Sequence, residues 1–387
     1  MSGAAAGLRG RAAVVVGAGI GGLSAGVALA RAGMAVRVFE QSAELVPLGA
    51  GLSLFPNAVH ALRELQVGRE LERAHRLVAS GGIRSWRGRF LVRGDALETE
   101  RRFGAPTLMV HRADLQRALL DAVPPGVLEL GARFEGFEQD EHGVDVRFAG
   151  GRGVSADVLV CADGIGSIGR ELLLGDGPPR YAGYIAWRAV SRFDASRIVP
   201  AESWGPSSVF GLVPLGDDRL YWFGSRPAAQ GERDDPERRK ADVLERFAGW
   251  HEPIAQVVEA TPPSDVLRHD VVDRRPQRGW SQGRVTLLGD AAHAMTPHLG
   301  QGACQAIEDA VVLARCLVDA DDVAAALRDY EALRFERTAR LVERSRQLGR
   351  VAQWRSPIAR AFRDAVLPLV PARVQRDRLA EVVGFRA

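Results

Sequence analysis

Residues 284–317 read RVTLLGDAAHAMTPHLGQGACQAIEDAVVLARCL. The run 285–288 is apolar and reads as a buried strand, which Gly289-Asp290 breaks. A polar loop over 291–299 follows, with Pro297 near its end. From Gly300 the pattern is helical, with Ile307, Val311, Ala314 and Leu317 recurring at spacings of three and four. A strand therefore hands over to a helix through a loop holding Asp290, His293, Pro297 and Gly300-Gln301-Gly302. Small residues at a helix start leave backbone N–H groups open to a ligand. The helix dipole adds roughly half a positive charge there. An acid at the strand end accepts hydrogen bonds from a sugar-like chain. The combination suits a ligand with a polyol arm and an electron-rich carbonyl, and a flavin has both. Alone, the stretch is equally an ordinary α/β crossover, so the rest of the chain decides.

Residues 12–16 form a β-branched strand that runs into Gly17-Ala18-Gly19-Ile20-Gly21-Gly22. Residues 23–32 read as a helix ended by Gly33, and 35–39 as a second strand closed by Glu40. This is a dinucleotide fingerprint in context. Gly17 makes the tight turn, Gly19 lets backbone reach a pyrophosphate, and Gly22 with Gly26 lets helix and strand pack closely. Glu40 lies 18 residues after Gly22, where a carboxylate binds ribose hydroxyls and disfavours a 2′-phosphate. The resident ligand is thus FAD or NAD(H), not NADP(H).

The 387 residues suffice for two domains with real cores, and 46% hydrophobic with 26% charged residues is a globular composition. The net charge of +3 is diffuse, and Lys240 is the only lysine among 51 basic residues. The arginines of 337–350 fall at helical spacing among acids and apolar residues, a solvated helix face and not a nucleic-acid surface. Cys161, Cys304 and Cys316 share no metal spacing, and no metal is expected. Their apolar surroundings point to buried free thiols in a reducing, cytoplasmic compartment. Residues 1–11 are short and Ala/Gly-rich, and the run 12–16 is too short for a signal-peptide core or a membrane span.

Residues 47–56, which include Ser53, read either as a loop covering a cofactor or as a linker. Residues 57–71 read as a helix, and 81–97 and 107–110 as strands. Arg112 opens a helix over 113–122, where it pairs with a phosphate or faces solvent. Residues 143–148 and 154–161 read as an arm leading into a buried strand that ends at Asp163-Gly164. Strands at 184–190, 208–213 and 219–225, interrupted by a helix at 238–250, suggest a mostly antiparallel sheet with one covered face. Residues 323–351 are a long helix. The tail 356–387 reads as amphipathic pieces packed along the first domain, with peripheral membrane contact through Leu367, Leu369 and Val370 the less favoured reading.

Three motifs stand in order: Gly17-x-Gly19-x-x-Gly22, Asp163-Gly164-x-x-Ser167-x-x-Arg170, and Gly289-Asp290 with Pro297-x-x-Gly300-Gln301-Gly302. Together they resemble the single-component FAD-dependent aromatic hydroxylases of para-hydroxybenzoate hydroxylase-like fold. The branch most resembled holds urate and salicylate hydroxylases and zeaxanthin epoxidase-like enzymes. The resemblance implies an α/β architecture: a discontinuous Rossmann-type FAD-binding domain (10–80, 100–178 and 280–350), an inserted, mostly antiparallel substrate-binding sheet domain (81–99 and 179–279) and a C-terminal helical tail (351–387). It implies that Glu40 and Arg112 bind the adenosine and phosphate part of FAD, and that Asp290 holds its ribityl or phosphate region. The backbone of Gly300, Gln301, Gly302 and Ala303 then faces the isoalloxazine, and the Asp163 motif touches FAD and a passing nicotinamide. Tyr221 matches an active-site tyrosine of urate hydroxylase. Val209 and His298 stand where that enzyme has Arg and Asp, so urate itself is not carried over.

With one fingerprint only, FAD takes it and NADH or NADPH binds transiently. The implied reaction delivers one oxygen atom of O2, through a flavin C4a-hydroperoxide, to an electron-rich aromatic or alkene small molecule. Tyr221, His298 and Arg188 are the candidates for contact with it. Arg188 either anchors an acidic substrate or faces outward, and His293 is read as a structural hydrogen-bonding group. The substrate class suggested by the family is a polyketide-like or quinolone-like aromatic, and the protein is read as a monomer or homodimer. The rival readings are a flavin-dependent reductase or dehydrogenase of an isoprenoid or quinone, and a flavin-binding regulator without turnover.

Overall fold

The computed structural model describes residues 10–46, 50–77, 81–196, 198–318 and 320–387. The sequence readings at residues 1–9 and 47–49 lie outside them.

Two large sheets organise the chain. The first has six strands in the order Ser281–Gln282, Val285–Leu287, Val158–Cys161, Ala12–Val16, Ala35–Phe39, Leu128–Glu129. The central pairings are parallel, Val15 opposite both Val160 and Val38, and Val160 opposite Thr286. Parallel strands covered on both faces read as continuous apolar runs, and every residue of Val158–Cys161 is buried. One face is covered by the helices Ile20–Arg31, Arg112–Ala122 and Gly302–Val318, whose apolar residues share one core with Val15, Val38 and Val160. The other carries a three-stranded arm whose Val146 and Phe148 pack with Phe39 and Cys161. Cys161 and Cys304 are buried free thiols and Cys316 is a half-buried one.

The second sheet has seven strands, in the order Leu267–Asp273, Arg180–Arg192, Arg219–Pro227, Ser208–Gly216, Ala201–Gly205, Gly82–Ser85, Phe90–Arg93. All pairings are antiparallel except Ala201–Gly205 with Gly82–Ser85. Strand alternation splits its residues into two sets. Ile185, Trp187, Phe210 and Trp222 form one face, sealed by Val243, Phe247, Ile254 and Val257 of the helices Arg239–Arg246 and Ile254–Ala260. Tyr184, Arg188, Tyr221 and Phe223 lie on the opposite face, as the pairing of Arg188 with Phe223 and of Val190 with Tyr221 requires.

Several local expectations are corrected. Residues 81–97 are not strand throughout: Asp95 caps a helix, Ala96–Phe103, by accepting from the Glu98 N–H at 2.9 Å. The stretch 57–71 is two helices, Pro56–Glu64 and Arg69–His75, parted where Gln66 and Gly68 take φ of 55° and 101°. Gly51–Leu54 is neither loop nor linker but a strand paired with Leu108–His111, a partner too remote for local pattern to reveal. The loop 291–299 contains two short helices, Asp290–His293 and Pro297–Leu299. The helix beyond it starts at Gly302 because Gly300 is left-handed, with φ of 62°. In the tail, Pro357–Val366 and Ala372–Val383 are helical, and Val382 and Val383 pack on Leu341 of the 30-residue helix Val323–Ala352. Among the described residues no helix is long and apolar enough to cross a membrane.

Candidate active site

The glycines of the first turn differ in what surrounds them. A Cβ on Gly22 would sit 1.8 Å from the Gly17 carbonyl oxygen, and one on Gly17 would meet the Ala162 carbonyl at 2.4 Å. Both are fixed by close backbone packing, Gly17 also by its φ of 97°. A Cβ on Gly19 would meet nothing within 4 Å. Open space at the middle glycine, beside the start of the Ile20–Arg31 helix, leaves room for an anionic pyrophosphate. Glu40 lies at the end of the neighbouring strand. Its Oε2 accepts from the Ala18 N–H at 2.8 Å and its Oε1 from the Ser42 N–H at 2.9 Å. It braces the turn and keeps further lone pairs for ribose hydroxyls.

The Asp163 turn abuts Gly17, whose Cβ position lies 3.1 Å from the Asp163 Cα. Asp163 Oδ2 accepts from the N–H groups of Ile168 and Gly169 at 2.8 and 3.3 Å, while Oδ1 is buried without a partner among the described residues. Burial raises its pKa against those hydrogen bonds. Ser167 caps the following helix, accepting from the Arg170 N–H at 2.8 Å. Arg170, fully buried, donates from Nη1 to the carbonyls of Ala291 and Ala292 at 3.0 and 2.7 Å and pairs with Asp176 at 2.6 Å. The second motif thus clamps the third.

Asp290 follows Gly289, whose φ of 64° turns the chain out of the strand. Its carboxylate has no hydrogen bond or ion pair among the described residues, and its Oδ1 lies 3.8 Å from the Cβ position of Gly302. Water reaches it, yet protein crowds it closely enough that desolvation raises its pKa, against the opposing influence of His293 and Arg112. Arg112 opens the Arg112–Ala122 helix, its N–H donating to the Ala50 carbonyl at 2.8 Å. Its guanidinium makes no hydrogen bond among the described residues. Burial lowers its pKa, Asp290 acts to raise it and Arg188 to lower it further.

Gly300-Gln301-Gly302 rests on a buried polar network. Gln301 Oε1 accepts from Asn57 and Gln305, both at 2.9 Å, and its Nε2 is left without a partner among the described residues. Arg334, 0% exposed, donates to Glu308, Asp309 and Gln305 at 2.6, 2.6 and 2.7 Å. With the Gln301 side chain turned inward, the amides at the start of the Gly302–Val318 helix are free to face a ligand. Ser53 lies opposite, its Cβ 3.9 Å from the Cβ position of Gly300, and its Oγ donates to the Met109 sulfur at 3.2 Å.

The face of the seven-stranded sheet opposite the helices Arg239–Arg246 and Ile254–Ala260 brings Tyr221 and Arg188 together. The Tyr221 ring covers Gly51, whose Cβ position is 2.6 Å away, and lies 5.8 Å from the Phe223 ring. Burial raises the Tyr221 pKa, and Arg188 and Glu202 act on it in opposite senses. Arg188 has no hydrogen bond or ion pair among the described residues. His298 stands apart from this pair: its Nε2 is 2.8 Å from Tyr184 Oη, its ring presses on Gly349, and burial lowers its pKa to about 4. His293 is held to Asp309, and not to Asp290.

FAD fits the residues present. The cradle at Gly19, the unpartnered Asp163 Oδ1, the unpaired Arg112 and Asp290, and the free amides at Gly302 are the polar requirements of a dinucleotide ending in a flavin. Sequence reading missed the Asn57, Gln305, Glu308, Asp309 and Arg334 network, and it missed Glu202. The charged pair Glu308-Asp309 amid a buried apolar run was the available signal for the network, since buried acids require partners.

The FAD binding domain family matches residues 11–345. An aurachin C monooxygenase/isomerase from Stigmatella aurantiaca is 43% identical over 371 residues, covering 94% of this chain and 97% of that one. A FAD-dependent urate hydroxylase of Klebsiella pneumoniae is 37% identical over 341 residues, covering 87% and 88%. The crystal structure of Klebsiella pneumoniae HpxO complexed with FAD and uric acid superposes with a TM-score of 0.90 at 33% identity, covering 96% of each chain. With its three motifs packed against one another and relatives along nearly its whole length, the chain belongs to the FAD-dependent aromatic hydroxylases and is a FAD-dependent monooxygenase.

Proposed function

We propose that this monooxygenase hydroxylates a flat, electron-rich aromatic of polyketide-like or quinolone-like type, held between the open sheet face and the start of the Gly302–Val318 helix. The observation that carries the reading is Arg188, without a hydrogen bond or ion pair among the described residues, beside Tyr221 and Phe223 on that face, a cation next to aromatic rings. When bound, FAD supplies the oxygen-transfer chemistry, with NADH or NADPH as transient reductant. The chain's own tasks are to bind, orient and keep dry. Gly17, Gly19, Gly22 and Glu40 hold the adenosine and pyrophosphate end, with Arg112 and Asp163 alongside. Asp290 and Ser53 line the path to the ring system. Amides of Gly300 to Ala303 would hold the ring end of FAD and stabilise negative charge that builds there. The sheet face excludes water and sets the substrate carbon in position.

Urate is not the proposed substrate, because Val209 and His298 offer neither the Arg nor the Asp expected for it. Three free cysteines support a reducing, cytoplasmic setting. The test is a panel of aromatics assayed for stimulated NAD(P)H oxidation, O2 uptake and a product heavier by one oxygen atom. Substrate-dependent NAD(P)H oxidation that yields a reduced product without O2 uptake overturns the reading in favour of a reductase.

A further inference from the structure

One row of residues crosses the face of the seven-stranded sheet opposite its two covering helices, at right angles to its strands. Arg188 is paired with Phe223, Phe223 with Gly211, and Gly211 with Glu202. Directly paired residues point to the same side of a sheet, so all four look away from the face sealed by Trp187, Phe210 and Trp222.

The middle of the row is flat. A Cβ on Gly211 would fall 2.2 Å from the Phe223 ring. Only glycine lets the ring lie down over the neighbouring strand, and Phe223 remains half-buried, so part of it stays open. The ends of the row are charged with opposite sign. Trp204 Nε1 donates to Glu202 Oε2 at 3.0 Å, and among the described residues no cation pairs with that carboxylate. Arg188, at the other end, is likewise unpaired. Desolvation raises the Glu202 pKa, against the Trp204 hydrogen bond, as expected of an acid recessed in a cleft. Tyr221, one step along the strand from Phe223, senses both charges.

Three inter-strand spacings separate the backbones of Arg188 and Glu202, roughly 14 Å. That span accommodates one fused or single aromatic ring system with a hydrogen bond at each edge. Two unpaired opposite charges that do not meet, with an aromatic floor between them, leave polar groups to be satisfied by whatever lies on that floor.

We infer that Arg188 and Glu202 read opposite edges of the substrate, Arg188 a carbonyl or phenolate oxygen and Glu202 a ring N–H or O–H, over the Phe223 platform. The substrate class is therefore a planar heteroaromatic or phenolic ring with an acceptor at one edge and a donor at the other. This rests on the proposed aromatic-hydroxylase reading and narrows it. A simple benzoate, with an acceptor edge alone, leaves the Glu202 carboxylate unmatched. Discrimination is strong where a buried polar group is left without its partner.

The test uses the FAD-loaded enzyme without NAD(P)H and two planar probes, 4-quinolone and chromone. They share the ring frame and the carbonyl, and differ in a ring N–H against a ring oxygen. Binding is read from the shift in flavin absorbance and from quenching of tryptophan fluorescence. The wild-type enzyme is expected to bind 4-quinolone at least about tenfold more tightly than chromone. Glu202→Ala is expected to bring the ratio near one, and Glu202→Gln, which keeps a carbonyl acceptor, to restore part of it. Arg188→Ala is expected to weaken both probes and preserve the ratio. FAD content and thermal midpoint, compared across the variants, separate a lost contact from a lost fold, and the glutamine variant stands in if the alanine variant does not fold. An unchanged ratio in both Glu202 variants, no discrimination by the wild type, or no binding of either probe overturns the assignment. Discrimination by Glu202 without turnover of any aromatic keeps this recognition and sinks the hydroxylase reading instead.

Discussion

His293 and Asp309 share a hydrogen bond of 2.6 Å between groups that are 2% and 0% exposed, tying the loop after the third strand motif to the helix that follows it. Asp309 also accepts from the Gly289 N–H at 3.0 Å and from Arg334 Nε at 2.6 Å. Burial alone pushes the carboxyl up, but His293 and Arg334 override it and hold the pKa at about 2. A depressed folded pKa gives stability that is present above the unfolded value of 3.8 and is lost as pH falls toward about 2. The contribution is roughly 2 kcal/mol. Asp309→Asn is expected to flatten the pH dependence of the urea midpoint in that window. At neutral pH it should lower stability by about 3–5 kcal/mol, because Arg334 loses half of its paired acid. Parallel urea-midpoint profiles for variant and wild type across the acid window refute this role.

The first-turn glycines separate folding from binding. Gly19→Ala adds a methyl group where nothing lies within 4 Å, on backbone with φ of −71° that alanine adopts freely. The apo protein should keep its thermal midpoint and lose FAD affinity at least about tenfold, because the methyl occupies the pyrophosphate cradle. Gly22→Ala puts a methyl 1.8 Å from the Gly17 oxygen and should cost more than about 4 kcal/mol of stability or prevent folding. Equal damage to folding from both variants would remove Gly19 from the ligand site.

His298 offers a sharper view of the candidate acid–base groups. Burial holds its pKa near about 4, below the ordinary 6.5, so it is neutral at working pH and engaged with Tyr184. His298→Gln is expected to leave the limbs of the kcat/KM profile between about pH 5.5 and 9 in place. It should also remove the His298 share of the stability that the wild type loses as pH drops from 6.5 toward about 4, where only the unfolded imidazole takes up a proton. His111, His251 and His269, lowered by burial in the same way, keep their shares. Loss of an acidic limb in the variant shows instead that His298 titrates during turnover.

The legible parts of this chain were those whose constraint is local. Gly17, Gly19, Gly22 and Glu40 lie within one strand–turn–helix–strand unit, so spacing alone carried the geometry. The strand and helix around Asp290 were equally plain. Asn57 was not, because its partners Gln301 and Glu308 lie 244 and 251 residues away and share no period with it. Glu202 and Arg188 acquire meaning only through register across four strands, which pattern does not encode for a sheet assembled from distant segments. Gly51–Leu54 failed for the same reason. Its partner Leu108–His111 arrives after two intervening strands and three helices.

Asp290 tests the stretch on which the fold was read. Its carboxylate has no partner among the described residues, and desolvation raises its pKa. An acid whose folded pKa is raised contributes stability below the unfolded pKa that is lost as pH rises through the folded value. At neutral pH the ionised Asp290 therefore weakens the apo protein. Asp290→Asn removes that charge at nearly constant shape, so the apo variant should unfold at the same temperature as the wild type or above it. FAD binding should move the other way, because a carboxylate that accepts from ligand hydroxyls is stronger than an amide oxygen, and the loss is on the order of 1–3 kcal/mol. A looser flavin should also release more peroxide per NAD(P)H consumed, since its surroundings are no longer kept dry. Stability gained and affinity lost in one substitution is the signature of a residue kept for its ligand. If Asp290 only shapes the turn, the variant loses apo stability and keeps its flavin, and calorimetry of apo protein beside FAD titration tells the two apart.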